Sequence, residues 1–156
     1  MRSLARLVRE AAGTTLVEFA LTAPLVLLLL IATLDFGRAL NAYVTVSNAS
    51  REGLRYAALN TSASADVTAE VAKRVVPLDT SKLTVTAQYS NDGGATWVAW
   101  ATGGAGAVTA RSTVVRVSVS YPWSAVTALT GAFFGGGSGS ATFTTEARGY
   151  AESTRQ

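Results

Sequence analysis

From Leu16 to Leu34 the chain is an almost unbroken apolar run. It is about 19 residues long, ~28 Å as a helix, and so nearly matches a bilayer's hydrocarbon core of ~30 Å. A run of that length can span a membrane as a helix. Arg2, Arg6 and Arg9 precede it, so the positive-inside rule puts the N-terminus in the cytoplasm and the remainder outside. A cleaved secretory signal has the same outline, but Ala32-Thr33-Leu34-Asp35-Phe36-Gly37 offers no well-placed small-x-small site. One carboxylate, Glu18, lies inside the run. An ionisable side chain there is costly and by default marks a function with a partner.

The composition removes whole classes of chemistry. Cysteine and histidine are both absent, which excludes disulfides, thiol nucleophiles, imidazole acids and bases, and the usual zinc sites. The net charge is only +3, and three of the arginines lie ahead of the span. With no basic patch carrying interleaved aromatics, nucleic acid is not a partner. Asp66, Glu70, Asp79, Asp92 and Glu146 show no paired spacing, so a membrane-anchored hydrolase ranks last; no enzyme, metal or cofactor is expected.

Gly13 is followed by four residues and then Glu18-Phe19; Pro24 interrupts the run; Asp35-Phe36-Gly37-Arg38 closes it; Ala49-Ser50-Arg51-Glu52-Gly53-Leu54-Arg55-Tyr56-Ala57 follows. In this order the residues resemble the TadE-like pseudopilin family, minor pilins of the Flp (Tad) type IV pilus system. The resemblance implies cleavage between Gly13 and Thr14 by a membrane-embedded prepilin peptidase on the cytoplasmic side. It makes Glu18 and Phe19 the processing and assembly motif, and Pro24, Phe36 and Arg51 helix-packing positions. The partners it implies are that peptidase, other pilins and pseudopilins, and an inner-membrane assembly platform. The setting is the inner membrane, with roles in pilus assembly, adhesion and secretion; whether the chain then enters, caps or initiates an extracellular pilus or stays in the membrane is left open by the resemblance. Elementary chemistry agrees: glycine leaves the scissile backbone accessible, and the basic leader holds it at the cytoplasmic edge of the bilayer. Cleavage would create an ammonium at Thr14, a partner for Glu18 within the chain or on a neighbour. The plainer alternative, Glu18 reaching headgroups and water, leaves the Gly13 spacing unexplained.

The remaining pattern divides the chain into a leader (1–13), a span (14–34), an amphipathic helical extension (35–60) and an outer α+β domain (61–156). The leader has Leu4, Leu7 and Val8 against its arginines. A helix from Thr14 to Leu59 would be ~69 Å long, with Gly37 and Gly53 as weak points and Pro24 loosening it near Ala20. Beyond Leu34 the apolar positions are Phe36, Leu40, Tyr43, Val44, Ser47, Leu54 and Ala57, while Asp35, Arg38, Asn41, Asn48, Glu52 and Arg55 form a solvated polar face. Ala39, Ala42, Tyr43 and Ala49 form a seam open either to neighbouring helices or to the chain's own sheet. A second helix, capped by Ser64 or Asp66, runs through Val75 with Val67, Val71 and Val75 inward, and Pro77 ends it.

Strands are expected over Lys82 to Tyr89, Thr96 to Trp100, Thr113 to Tyr121 and Ala141 to Tyr150. Pro122 should stop the third, a helical turn should follow over Trp123 to Leu129, and loops should occupy Ala101 to Ala110 and Gly135 to Gly139. The tail from Glu152 should fray. Ser90, Asp92, Gly94, Thr96 and Trp97 resemble the Asp-box of sialidases and other propellers, but one such hairpin cannot make a propeller, so a structural turn is expected. The expected fold is α+β and pilin-like: a long N-terminal helix on a small antiparallel sheet. A second reading, from a different class, is a single-pass anchored domain that binds an outer ligand or carbohydrate on Trp97, Trp100 and Trp123. Tryptophans in a strand-rich domain are more often core.

Overall fold

A computed structural model describes residues 2–60, 66–100, 113–127 and 139–151. The leading helix, α1 (Arg2–Leu59), is 58 residues long, about 87 Å at ~1.5 Å per residue. It begins inside the expected leader and continues without a break through Pro24, Gly37 and Gly53. The cap positions expected for the second helix fall on 64 and the side chain of 66, outside the described residues. That helix, α2 (Asp66–Arg74), is where the pattern placed it. Val67, Val71 and Val75 are fully buried, each side chain contributing roughly 1.5–3 kcal/mol relative to exposure.

A short 3-10 turn (Thr80–Lys82) leads into β1 (Thr84–Ser90), which pairs with the brief β2 (Val98–Ala99). β3 (Val114–Ser124) and β4 (Ser140–Tyr150) complete an antiparallel sheet in the order β2-β1-β3-β4. Alternation along β3 is strict: Val115, Val117 and Val119 are fully buried against α1 and α2. On β4 the odd positions Ala141, Phe143, Thr145, Ala147 and Gly149 turn inward. The sheet closes at its far end by Thr113, whose hydroxyl donates to the Asn91 side-chain oxygen (2.8 Å) and whose carbonyl accepts from the Ala151 amide (2.9 Å).

Two expectations are corrected. β3 does not stop at Pro122 but runs to Ser124, and Trp123 lies in the strand rather than in a helical turn. The register supplies the reason. β1 begins only at Thr84, opposite Ser120, whereas β4 pairs with β3 as far as Ser124. From Tyr121 onward β3 therefore has one neighbour only, the edge condition under which a strand accepts proline. Of the expected turn, 126–127 is a bend. The part beyond Thr127 falls outside the described residues, as do the 101–110 loop, most of the 135–139 segment and the tail.

Candidate assembly surface and processing segment

The seven residues singled out for processing and packing all lie on α1. Gly13, Thr14, Glu18 and Phe19 occupy its successive early turns, all exposed. A side chain at Gly13 would meet nothing within 4 Å. The Glu18 carboxylate has no side-chain partner among the described residues; its backbone carbonyl accepts from the Thr22 hydroxyl (2.9 Å). The Gly13–Thr14 bond sits inside helical backbone, so any enzyme needing it extended must first open that turn. Glycine lowers the cost of opening by roughly 0.5–1 kcal/mol relative to alanine.

Through the apolar run nothing among the described residues covers the helix: Leu21, Leu25, Leu29 and Leu34 are all about two-thirds exposed. By length and composition it is fit to cross a membrane. Pro24 faces outward as well.

Above Leu34 the helix presents two different faces. The one seated on the sheet is made of small residues, Ala39, Ala42, Ala49, Gly53 and Ala57, with Val46 among them. The larger apolar residues Phe36 (53% exposed), Leu40 (52%), Tyr43 and Val44 point away from the core. The amphipathic face read from hydropathy therefore splits: Leu54 and Ala57 meet the core, while Phe36, Leu40 and Val44 do not carry the sheet. The seam is resolved in the same way: Ala39, Ala42 and Ala49 join the chain's own core, while Tyr43 stays half-exposed with its ring edge-on to Phe143 at 6.0 Å.

Asp35 is the second departure. Read as part of a solvated face, it is only 2% exposed. Its carboxylate accepts from the Val126 amide (3.2 Å), the Thr127 amide (3.4 Å) and the Thr127 hydroxyl (3.3 Å), and pairs with Arg38 (3.3 Å). A buried carboxylate survives only when so supplied with donors. Its sequence signal was ambiguous because the partners lie about ninety residues away.

Glu52 likewise does more than the exposed ion pair expected of it. Arg55 meets it with two nitrogens (2.7 and 3.1 Å) and Arg74 reaches it from α2 (3.2 Å). These hydrogen bonds and charges, Arg55's foremost, hold the Glu52 pKa below the usual carboxylate range. Next to it, Arg51 stands exposed beside an open cleft of about 520 Å³ between α1 and the edge strand β4, lined also by Tyr43, Ser47 and Thr144. No acidic side chain pairs with Arg51 among the described residues.

The Asp-box-like hairpin is a closed turn. Asp92 accepts from the Ser90 hydroxyl (2.5 Å), the Thr96 amide (2.9 Å) and the Thr96 hydroxyl (2.6 Å), and the Gly94 amide donates to Ser90 Oγ (2.7 Å). Gly93 and Gly94 supply the positive φ it needs. The three tryptophans do not form a common platform. Trp123 is buried, Trp100 packs on the core, and Trp97 carries the Arg116 guanidinium 4.1 Å above its ring. Among the described residues no group of His, Cys, Asp or Glu is placed to hold a metal.

A family model described as TadE-like protein matches residues 13–55. This segment is TadE-like. The TadE-like match opens at Gly13 and closes four residues after Arg51, so it takes in every residue singled out on the helix. It covers α1 alone, and the TadE-like family is one associated with the Tad pilus. Neither the curated proteins nor the solved structures yield a match.

Proposed function

We propose that this chain is a minor pseudopilin of the Flp (Tad) pilus assembly system, cut by a prepilin peptidase after Gly13 and held in the inner membrane with its N-terminus cytoplasmic. The observation that carries this reading is the TadE-like match over residues 13–55, on a helix whose apolar surface from Leu16 to Val44 its own domain leaves open among the described residues.

That surface extends too far for lipid alone to cover. Thr14 to Val44 is about 46 Å of helix against a hydrocarbon core of ~30 Å. Its upper portion, Phe36, Leu40, Tyr43 and Val44, is suited to the helices of other pilins, and Pro24 and Arg51 face outward with it. Glu18 lies within the span and pairs, once the leader is gone, with a Thr14 ammonium. In this role the chain is a substrate of the peptidase and a component of assembly, and it performs no catalysis itself.

The test is the intact mass and N-terminal residue of the protein from membranes with and without the prepilin peptidase, together with Gly13→Ala. A chain beginning at Thr14 only when peptidase and Gly13 are both present supports the reading. An uncut chain in every case, or cleavage beyond Leu34, overturns it.

A further inference from the structure

We propose that the bend at residues 126–127 is a foot by which the outer domain rests on the bilayer, with Val126 set among the lipid headgroups of the outer leaflet. The inference rests on the reading of α1 as a membrane anchor.

A lone exposed valine is ordinary; the placement of this one is not. Val126 is 71% exposed, and its amide is tied at 3.2 Å to Asp35, the residue directly after the apolar run. On an upright helix Asp35 is ~1.5 Å above the end of that run, whereas the headgroup layer is roughly 5–7 Å deep. The bend therefore sits at headgroup level, beside the point where the helix emerges. Two further facts hold it there: the Ala125 amide donates to the Gly139 carbonyl (2.9 Å), and the Thr127 hydroxyl reaches Asp35 (3.3 Å). Arg38, a turn above, pairs with Asp35 through one nitrogen and stays 55% exposed, so the rest of its guanidinium can meet lipid phosphates while its stem lies along the helix. The occupant is thus a phospholipid surface, continuous with the one that surrounds the span. Asp35 acts as a positioning residue: it satisfies the amides of the bend and fixes Val126 beside the point where the helix emerges.

Because the chain contains no cysteine, single cysteines at chosen positions can carry a nitroxide without competition. The full chain, labelled at Val126, at Leu27 in mid-span, or at Val98 on β2 at the far end of the sheet, is placed in nanodiscs of phosphatidylethanolamine and phosphatidylglycerol. Collision rates with oxygen and with a water-soluble nickel chelate are then compared. The expected oxygen-to-nickel ratio at Val126 is several-fold above that at Val98 and below that at Leu27. Adding Asp35→Asn should move the Val126 ratio toward that of Val98 while Leu27 and Val98 keep theirs. A Val126 ratio equal to that of Val98 with Leu27 deep overturns the foot and leaves the anchor standing, as does a label at 126 shielded from both reagents. A water-exposed Leu27 overturns the anchor itself, and the foot with it.

Discussion

At the residue scale, the two glycines of α1 beyond the apolar run test which of two opposing effects wins. A side chain at Gly37 meets nothing within 4 Å, so Gly37→Ala gains only helix propensity and should stabilise by up to ~1 kcal/mol. At Gly53 the new Cβ would lie 2.5 Å from a Val71 methyl and 3.2 Å from one of Val117. Both neighbours are buried, so overpacking at about 1–3 kcal/mol outweighs the propensity gain. Thermal unfolding of the two variants in detergent should shift in opposite directions. Asp92 supplies a pH-dependent counterpart. The donors from Ser90 and Thr96 hold its pKa far below the usual carboxylate range. Folding is therefore stabilised by its ionised form above the unfolded value near ~3.9, and that contribution is lost as pH falls from there through the folded value. Asp92→Asn should flatten this part of the acid limb when melting is followed between pH 6 and pH 2.

At the element scale, Asp35 joins the helix to the end of β3. Asp35→Ala would leave the Val126 and Thr127 amides without their acceptor, at a cost of about 1–3 kcal/mol for each group that water does not reach. Hydrogen exchange should show fast amides at 126 and 127, with protection retained at Val117. This link also marks where the sequence ceased to be legible. The period of α2 and the alternation in β3 and β4 were open to reading because each is a local pattern of Val against polar residues. The seat of the sheet on α1 was legible only in part, through Leu54, Ala57 and the alanine seam, since hydropathy does not say how closely a sheet will approach a helix. A sheet approaching a helix closely selects Ala39, Ala42, Ala49 and Gly53 and leaves the larger Phe36 and Leu40 outside. Pro122 misled for a similar reason: whether a strand tolerates proline depends on a neighbour that its own sequence does not contain. The TadE-like segment, by contrast, was legible because its signal is an ordered spacing of residues, Gly13 to Glu18 and onward, along one helix.

At the scale of the whole molecule, the α+β domain clasps the C-terminal part of α1 and leaves the apolar run bare among the described residues. If the bare stripe serves other helices, Leu40→Ser should leave the melting of the isolated chain within about 0.5 kcal/mol of the wild type, yet reduce its recovery with other pilins after crosslinking in membranes. Unchanged recovery would remove Leu40 from that surface. The clasp also has a mechanical consequence. Between the sheet and the bilayer there is no linker and no break: one helix runs from Arg2 to Leu59. A pull on the sheet is handed at Asp35 and Val46 to a stiff rod, with no slack to absorb it. The domain and its stem must therefore travel as one piece, so any machine that lifts the domain draws the stem from the lipid like a piston.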